Sequence, residues 1–318
     1  MNTLLVLAYN EEENISEVIL SLEDEFDSII VVNDSSKDST ASLLKKLSLN
    51  SSKIKILTNS KNLGAGKSFE VGFKAFLESS SSYLVKIDGD GQFNKNDVLT
   101  IKKLLNENCF DFVKSDRFWE NGIEGDIPLI RYVGNAFASL LLKFSTGNWT
   151  LNDPLNGLMG FSKKSLSELS IPKKFNRYGY PFYVTTSIFY ISFLKELNIG
   201  QYKNIVKYSN EKSNLNALTM FFKLISFTIT NFFSKISRKL SNSKLQISAI
   251  IDIFATLIFL LSTFSIYKFL SIRFFNVDGG QGTWFLLFII FFIMFLGMLY
   301  FSQKIENDFS ENYVKEVH

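Results

Sequence analysis

Between Asp88 and Gln92 the chain reads Asp-Gly-Asp-Gly-Gln: two carboxylates two residues apart, with glycines that let the backbone turn tightly between and after them. Hard divalent cations prefer such oxygen clusters and commonly complete their coordination with phosphate oxygens. A polar β-turn is the plainer reading of the same five residues. Three further polar segments, Tyr9-Asn10-Glu11, Asn33-Asp34-Ser35 and Asn59 to Gly66, each follow a short apolar run. Together they favour a ligand site over an isolated turn. Asp34 can accept hydrogen bonds from a base N–H; its alternative is a helix N-cap, for which Asp38 or Ser39 is better placed. Asn62 to Lys67 sets Gly64 and Gly66 beside a lysine but lacks the GxxxxGK[ST] spacing. Its glycines therefore read as close packing beside a nucleotide and not as a Walker loop.

Composition removes other chemistries. Among 318 residues there is one histidine, His318, and one cysteine, Cys109. A Ser-His-Asp triad, a Cys/His zinc centre and an intrachain disulfide are all excluded. Any metal must be held by oxygen.

The elements that must position these residues follow from the apolar runs. Thr3 to Ala8, Ser28 to Val32, Ile54 to Leu57 and Tyr83 to Ile87 read as strands, with helical patterns over Glu12 to Leu22 and Ala65 to Leu77 between them. Alternation of this kind predicts a mostly parallel sheet with helices on both faces, an α/β domain over residues 1–212. Such sheets bind ligands beyond the carboxyl ends of their strands, which is where the polar segments lie.

The rest of the chain is different in kind. Residues 1 to 202 carry 22 Lys+Arg against 24 Asp+Glu, whereas residues 203 to 318 carry 12 against 7. Trp284 to Phe301 has no charge, and Ile253 to Leu270 has only Lys268, whose stem can snorkel to an interface. Each is long enough for a transmembrane helix, and the intervening SIRFFNVDGGQGT predicts a hairpin. A buried helix of a soluble domain is the alternative for Ile253 to Leu270. The Lys-rich stretch from Lys203 to Lys244 places the N-terminal domain and both termini in the cytoplasm by the positive-inside rule. Residues 213–244, where Phe221, Leu224, Ile225, Thr228, Phe232 and Ile236 recur at helical spacing, read as a basic amphipathic element at an anionic membrane surface, or as a helix packed on the globular domain. Residues 245–302 hold the hairpin and 303–318 a cytoplasmic tail. The apolar start, Leu4 to Ala8, is too short for a signal peptide.

AYNEEENI at Ala8, VVNDSSKDST at Val31, NLGAGKSFEVGF at Asn62, DGDGQ at Asp88, SDRF at Ser115 and NDPLNGLMGFSKKSL at Asn152 resemble, in order and rough spacing, the inverting family 2 glycosyltransferases of GT-A fold. Within that family the chain is similar to the dolichol-phosphate mannose synthase and polyprenyl-phosphate glycosyltransferase branch. The resemblance covers about residues 1 to 215. It implies a nucleotide-sugar site formed by Ala8, Tyr9, Glu11, Asp34, Asn62, Gly64, Lys67, Asp88, Asp153 and Asn156, with Asp34 addressing the base. It implies Mg²⁺ or Mn²⁺ at Asp88, Asp90 and Gln92, with Asp90 the direct ligand. It also implies an acceptor-phosphate site at Arg117, Arg131, Lys207 and Ser213, so that Asp90, Arg117 and Arg131 are the catalytic set. The expected partners are a nucleotide-sugar, a polyprenyl phosphate, the membrane and a second copy of the chain; nothing marks a nucleic-acid partner.

The sequence departs from the family pattern at Leu7, where a proline is usual, at Asn33, where an aspartate is usual, and after Tyr180, where FYVTTSIF contains no acid. A hydroxyl acceptor normally needs a general base, whereas a phosphate monoester, with a second pKa of about 6, arrives ionised. The lack of histidine and of that acid therefore favours a phosphate acceptor. The competing readings are transfer to a sugar hydroxyl of a glycolipid or polysaccharide, and an inactive membrane scaffold.

Overall fold

A computed structural model describes the chain except residues 108–109, 120–122, 125–128, 147, 196, 205, 208–216, 244, 276–278, 310–314 and 318. It folds as two compact units, Met1–Thr228 with Asn312–His318, and Ile229–Glu311.

The first unit is built on strands β1 (Asn2–Ala8), β2 (Ser28–Asn33), β3 (Ile54–Thr58), β4 (Tyr83–Asp88), β5 (Phe112–Asp116), β6 (Ile123–Glu124), β7 (Met159–Ser162), β8 (Ile199–Lys203), β9 (Val206–Lys207) and β10 (Lys315–Val317). Its helices are α1 (Ile15–Leu22), α2 (Thr40–Asn50), α3 (Ala65–Leu77), α4 (Lys95–Glu107), α5 (Leu129–Thr146), α6 (Lys163–Leu166) and α7 (Tyr180–Lys195). Eight strands form one sheet in the order β10-β8-β5-β7-β4-β1-β2-β3, and β6 pairs separately with β9. All pairs in the large sheet are parallel except those of β7, which runs antiparallel to both β4 and β5. The apolar runs are continuous because both faces are covered, as a mostly parallel sheet requires. One face packs Leu5, Leu7, Ile30, Val32, Met159 and Phe161 against α3, α5 and α7, with Phe69 and Phe73 as the main aromatic filling. The other packs Leu4, Val6, Ile29, Val31 and Val85 against α1, α2 and α4.

Register brings the polar segments to one edge. Leu7 pairs with Asp88, and Ala8 with Asn33, which in turn pairs with Thr58. The backbone hydrogen bonds Asp34 N to Ala8 O (2.9 Å), Asn59 N to Asn33 O (2.9 Å) and Gly89 N to Leu7 O (2.8 Å) carry that alignment one residue past the strands.

Helix α8 (Ala217–Leu240) contributes its first half to the first unit, where Met220, Leu224 and Phe227 join the core and Phe221 stacks on Phe137 at 4.7 Å. Its second half belongs to the second unit with α9 (Gln246–Phe275) and α10 (Gln281–Phe309). Both α9 and α10 are long and apolar enough to cross a membrane. They pack on each other through Phe259 and Phe295, and Ser262 Oγ donates to Phe288 O at 3.3 Å. Lys235 and Lys239 are not on an exposed basic face as the helical pattern suggested. Both are buried: Lys239 pairs with Asp252 and Glu306, and Lys235 with Glu306 at 3.0 Å. Charged groups this deeply buried need such partners.

Candidate functional site

The carboxyl edge of β1, β2 and β4 opens onto a cavity of about 320 Å³. Ala8, Tyr9, Glu11, Asp34, Asn62, Gly64, Asp88 and Asp90 line it, joined by Leu7, Ala65, Ser68, Arg177 and Tyr178. A second, larger hollow of about 660 Å³ lies beside it between Asn10–Asn14, Lys37 and Asp38, and Asp90 lines both.

Asp34 is more than a wall of this cavity. Its Oδ1 accepts from Asn59 Nδ2 (2.7 Å) and Leu63 N (2.8 Å), and its Oδ2 from Gly64 N (2.7 Å). The carboxylate thus ties the end of β2 to the loop entering α3. Gly64 makes the loop feasible, because its φ is +92° and a Cβ would sit 2.6 Å from Asn176 O. Asn33 supports the preceding turn: its Oδ1 accepts from Ser36 N (3.0 Å) and Ser36 Oγ (2.7 Å). Asp34 is not a helix cap: Ser39 holds the N-cap position of α2 without a side-chain cap bond, and Asp38 just before it accepts from Thr40 N at 3.0 Å and from Glu12 N at 3.2 Å. Lys67 does not line the cavity; it pairs with Glu70 at 2.7 Å.

Asp88 and Asp90 stand at the end of β4. Asp88 Oδ1 accepts from Lys86 Nζ at 2.7 Å, and Asp90 Oδ1 accepts the backbone N–H of Gln92 at 3.1 Å. Lys86 is fully buried, also donates to Gly157 O (3.1 Å), and lies over the Tyr180 ring at 5.4 Å. Burial and the two aspartates push the Tyr180 hydroxyl well above its ordinary value, so it stays protonated. The donor set fits a hard divalent cation: it is all oxygen and faces an open cavity. Among the described residues no three acidic, His or Cys side chains converge as a metal cage, so the remaining ligands must come from a bound oxyanion or water.

Gly157 packs directly on this pair. A Cβ there would lie 2.3 Å from Asp88 Oδ2 and 3.0 Å from Lys86 Nζ. Gly157→Ala is therefore expected to displace the Asp88 carboxylate and to lower kcat/KM by about tenfold to a hundredfold, the scale of an ångström-sized misplacement. Steady-state kinetics on the folded variant check this, and unchanged kinetics would remove Asp88 from the site.

Arg117, Asp153 and Asn156 lie outside both cavity walls and form a cluster of their own. Asp153 is completely buried and has φ +46°. Its carboxylate accepts from Arg117 Nε (2.8 Å), Nη2 (2.8 Å) and backbone N (3.0 Å), and from Asn156 Nδ2 (3.1 Å). Burial alone would raise its pKa, but the guanidinium holds it below the usual carboxylate range. The backbone of Arg131 is in α5 and that of Lys207 in β9; their side chains, and Ser213, lie outside the described residues.

Lys114 was not expected from the sequence. It is buried and donates to the carbonyls of Asn152 (2.6 Å), Asp153 (2.6 Å) and Ser115 (2.9 Å). Burial pushes its ammonium down to about 8, against the opposing pull of Asp153 and Asp116. The charged form that makes these contacts is thus lost as pH rises through about 8. The unfolded chain keeps this proton to about 10.4, so across that window the group adds to stability as pH rises. Activity is expected to fall with an apparent pKa of about 8 while thermal stability does not. A pH–rate profile beside melting curves checks this.

The family model of glycosyl transferase family 2 matches residues 3–170, more than half of the chain. The chain belongs to glycosyl transferase family 2. As a family 2 member it is a glycosyltransferase. It is 28% identical over 211 residues to the UDP-N-acetylglucosamine–dolichyl-phosphate N-acetylglucosaminyltransferase of Methanococcus voltae, covering 62% of this chain and 82% of that protein. It is 31% identical over 156 residues to a dolichyl-phosphate β-glucosyltransferase of Trichomonas vaginalis, covering 44% and 45% respectively. Its fold is similar to that of glucosyl-3-phosphoglycerate synthase from Mycobacterium tuberculosis, solved with Mn²⁺, UDP and glucosyl-3-phosphoglycerate. That match has a TM-score of 0.52 at 18% identity, over 74% of this chain and 79% of that one. The GT-A architecture implied by the motifs is thus the one observed.

Proposed function

We propose that this family 2 glycosyltransferase is membrane-anchored and transfers a sugar, with inversion, from a nucleotide-sugar to a polyprenyl phosphate, with Mg²⁺ or Mn²⁺ held at Asp90 and Asp88. The observation that carries the donor half is the pair of carboxylates at the mouth of a cavity whose other walls are Tyr9, Glu11, Asp34 and the Asn62–Gly64 loop. The acceptor half is supported by the Methanococcus voltae relative, whose named acceptor is dolichyl phosphate. A divalent cation, when bound, neutralises charge on the leaving diphosphate. The chain's own residues position: Asp34 fixes the loop beside the nucleotide, Lys86 orients Asp88, and Arg117, Arg131, Lys207 and Ser213 receive the acceptor phosphate. Arg117 does so with its fork already aligned by Asp153.

A hydroxyl acceptor would call for a carboxylate base near the sugar. Burial raises the Asp116 carboxyl, but that residue is 1% exposed and lines neither cavity. The long apolar helices α9 and α10 support anchoring in a bilayer, and the Lys-rich stretch from Lys203 to Lys244 supports a cytoplasmic catalytic unit and termini.

The test is direct. Membranes containing the full chain are incubated with a panel of nucleotide-sugars and polyprenyl phosphate, and products are identified by mass spectrometry. A glycosylated lipid phosphate extractable into organic solvent is expected; a hydrophilic saccharide would overturn the acceptor assignment.

A further inference from the structure

Two lysines occupy places where a mostly parallel sheet normally buries apolar side chains. Lys86 of β4 and Lys114 of β5 both pair in register with Met159 of the intervening β7, so the three side chains share one row of one face. Both lysines are essentially inaccessible to solvent. Burying an ammonium is unfavourable unless its donors are satisfied, and an apolar residue in the same row would avoid the problem. Besides Ser115 O for Lys114 and Asp88 Oδ1 for Lys86, both ammonium groups reach the same short segment, residues 152–157. Lys114 Nζ holds its start through Asn152 O and Asp153 O, both at 2.6 Å. Lys86 Nζ holds its end through Gly157 O at 3.1 Å.

This segment faces both halves of the reaction. At its start Asp153, in a left-handed backbone conformation, grips the Arg117 guanidinium. At its end Gly157 packs on Asp88, whose Oδ1 is bonded to the same Lys86 Nζ at 2.7 Å. Between them Asn156 closes the turn, donating to Asp153 Oδ2 (3.1 Å) and accepting from Leu158 N (3.1 Å).

We propose that Lys86 and Lys114 are positioning residues which clamp the 152–157 segment and thereby set the spacing between the donor-side carboxylate Asp88 and the acceptor-side Arg117. This rests on the function proposed above. Lys86 acts through Asp88, and Lys114 acts through Asp153 on Arg117; neither reaches a substrate.

The chain of action predicts which losses overlap. In full-length protein, Lys114→Met is expected to lower kcat/KM for polyprenyl phosphate by about tenfold or more, with the KM for nucleotide-sugar little changed. Lys86→Met is expected to raise the KM for nucleotide-sugar and weaken Mn²⁺ binding, read by electron paramagnetic resonance with Mn²⁺ alone. Combined with Arg117→Ala, Lys114→Met should add nothing further, and combined with Asp88→Asn, Lys86→Met should add nothing further. Losses that multiply in the double variants would overturn the proposal. If Lys114→Met does not fold, Lys114→Gln, which retains a donor toward the carbonyls, takes its place in the cycle. Hydrogen exchange gives a reading independent of turnover: peptides spanning 152–157 should exchange faster in either variant while β1 and β2 stay protected. Unchanged exchange there would reject the clamp even if no acceptor in the panel is glycosylated. A wild-type protein inactive on every polyprenyl phosphate, with accelerated 152–157 exchange in the variants, would instead reject the proposed acceptor and keep the clamp.

Discussion

Asp90→Ala is expected to abolish transfer, lowering kcat by about a thousandfold or more while leaving expression and membrane insertion unchanged; removal of one preorganised charge-stabilising group costs on this scale. The expectation rests on an asymmetry between the two aspartates. Asp88 is held by the buried Lys86 and packed on by Gly157, so part of its work is structural. Asp90 is half-exposed and, like Glu11, lines both hollows, so on the proposed function it is the aspartate of the pair that is open to a cation and diphosphate. Truncating Asp88 leaves Lys86 without its counter-charge and should lower stability as well as activity. Truncating Asp90 should leave the melting temperature within a degree or two of wild type, as for most accessible polar groups. Radiolabelled sugar transfer to polyprenyl phosphate, alongside Mn²⁺ binding, separates these outcomes. An Asp90→Ala protein that still transfers sugar sinks the metal assignment.

The cavity proposed as the donor site was legible in the sequence because it lies where regular elements stop. Four apolar runs ended in polar residues, and parallel topology requires such ends to share an edge; Ala8 pairs with Asn33, and Leu7 with Asp88, at that edge. The two buried lysines that hold residues 152–157 were not legible, for a physical reason. Strand β7 is four residues long and enters antiparallel between β4 and β5, so nothing local in Met159–Ser162 announces that it joins two lysines 28 positions apart in the chain. The signal that did exist was a charge in each of two short strands, Tyr83–Asp88 and Phe112–Asp116, where polar interruption is costly. Helix α7 was expected, after Pro181, only from the family resemblance. It is apolar on nearly every face, with Phe182, Val184 and Ile188 buried, and has no stripe for periodicity to find. The membrane-length helices run past the charge-free segments at both ends, to Gln246–Phe275 and Gln281–Phe309, because helical hydrogen bonding continues through polar residues that bound an apolar window. The same blindness applied to Lys235 and Lys239: helical spacing places them on a face, but only tertiary structure supplies Asp252 and Glu306 from α9 and α10.

Asp153→Ala is expected to be the most destabilising single change in the catalytic unit, by about 3–5 kcal/mol, the range for breaking a buried ion pair from one side. Three costs combine at this position. The Arg117 guanidinium, with only 13% of its side chain exposed, loses a bidentate partner. Asn156 Nδ2 loses an acceptor in a site that water does not reach. Alanine must also adopt φ near +46°, where a Cβ is unfavourable. Asp153→Asn separates these contributions, because asparagine tolerates the left-handed region and keeps one oxygen for the guanidinium. It should retain the backbone and lose mainly the charge, giving a smaller loss of stability but still a raised KM for the acceptor phosphate, since Arg117 is then aligned by one weak contact in place of a charged fork. Urea titrations of the detergent-solubilised variants and acceptor-dependent kinetics check the two predictions together. If Asp153→Asn matched wild type in both, the pair would be ornamental to catalysis and Arg117 would need another means of alignment.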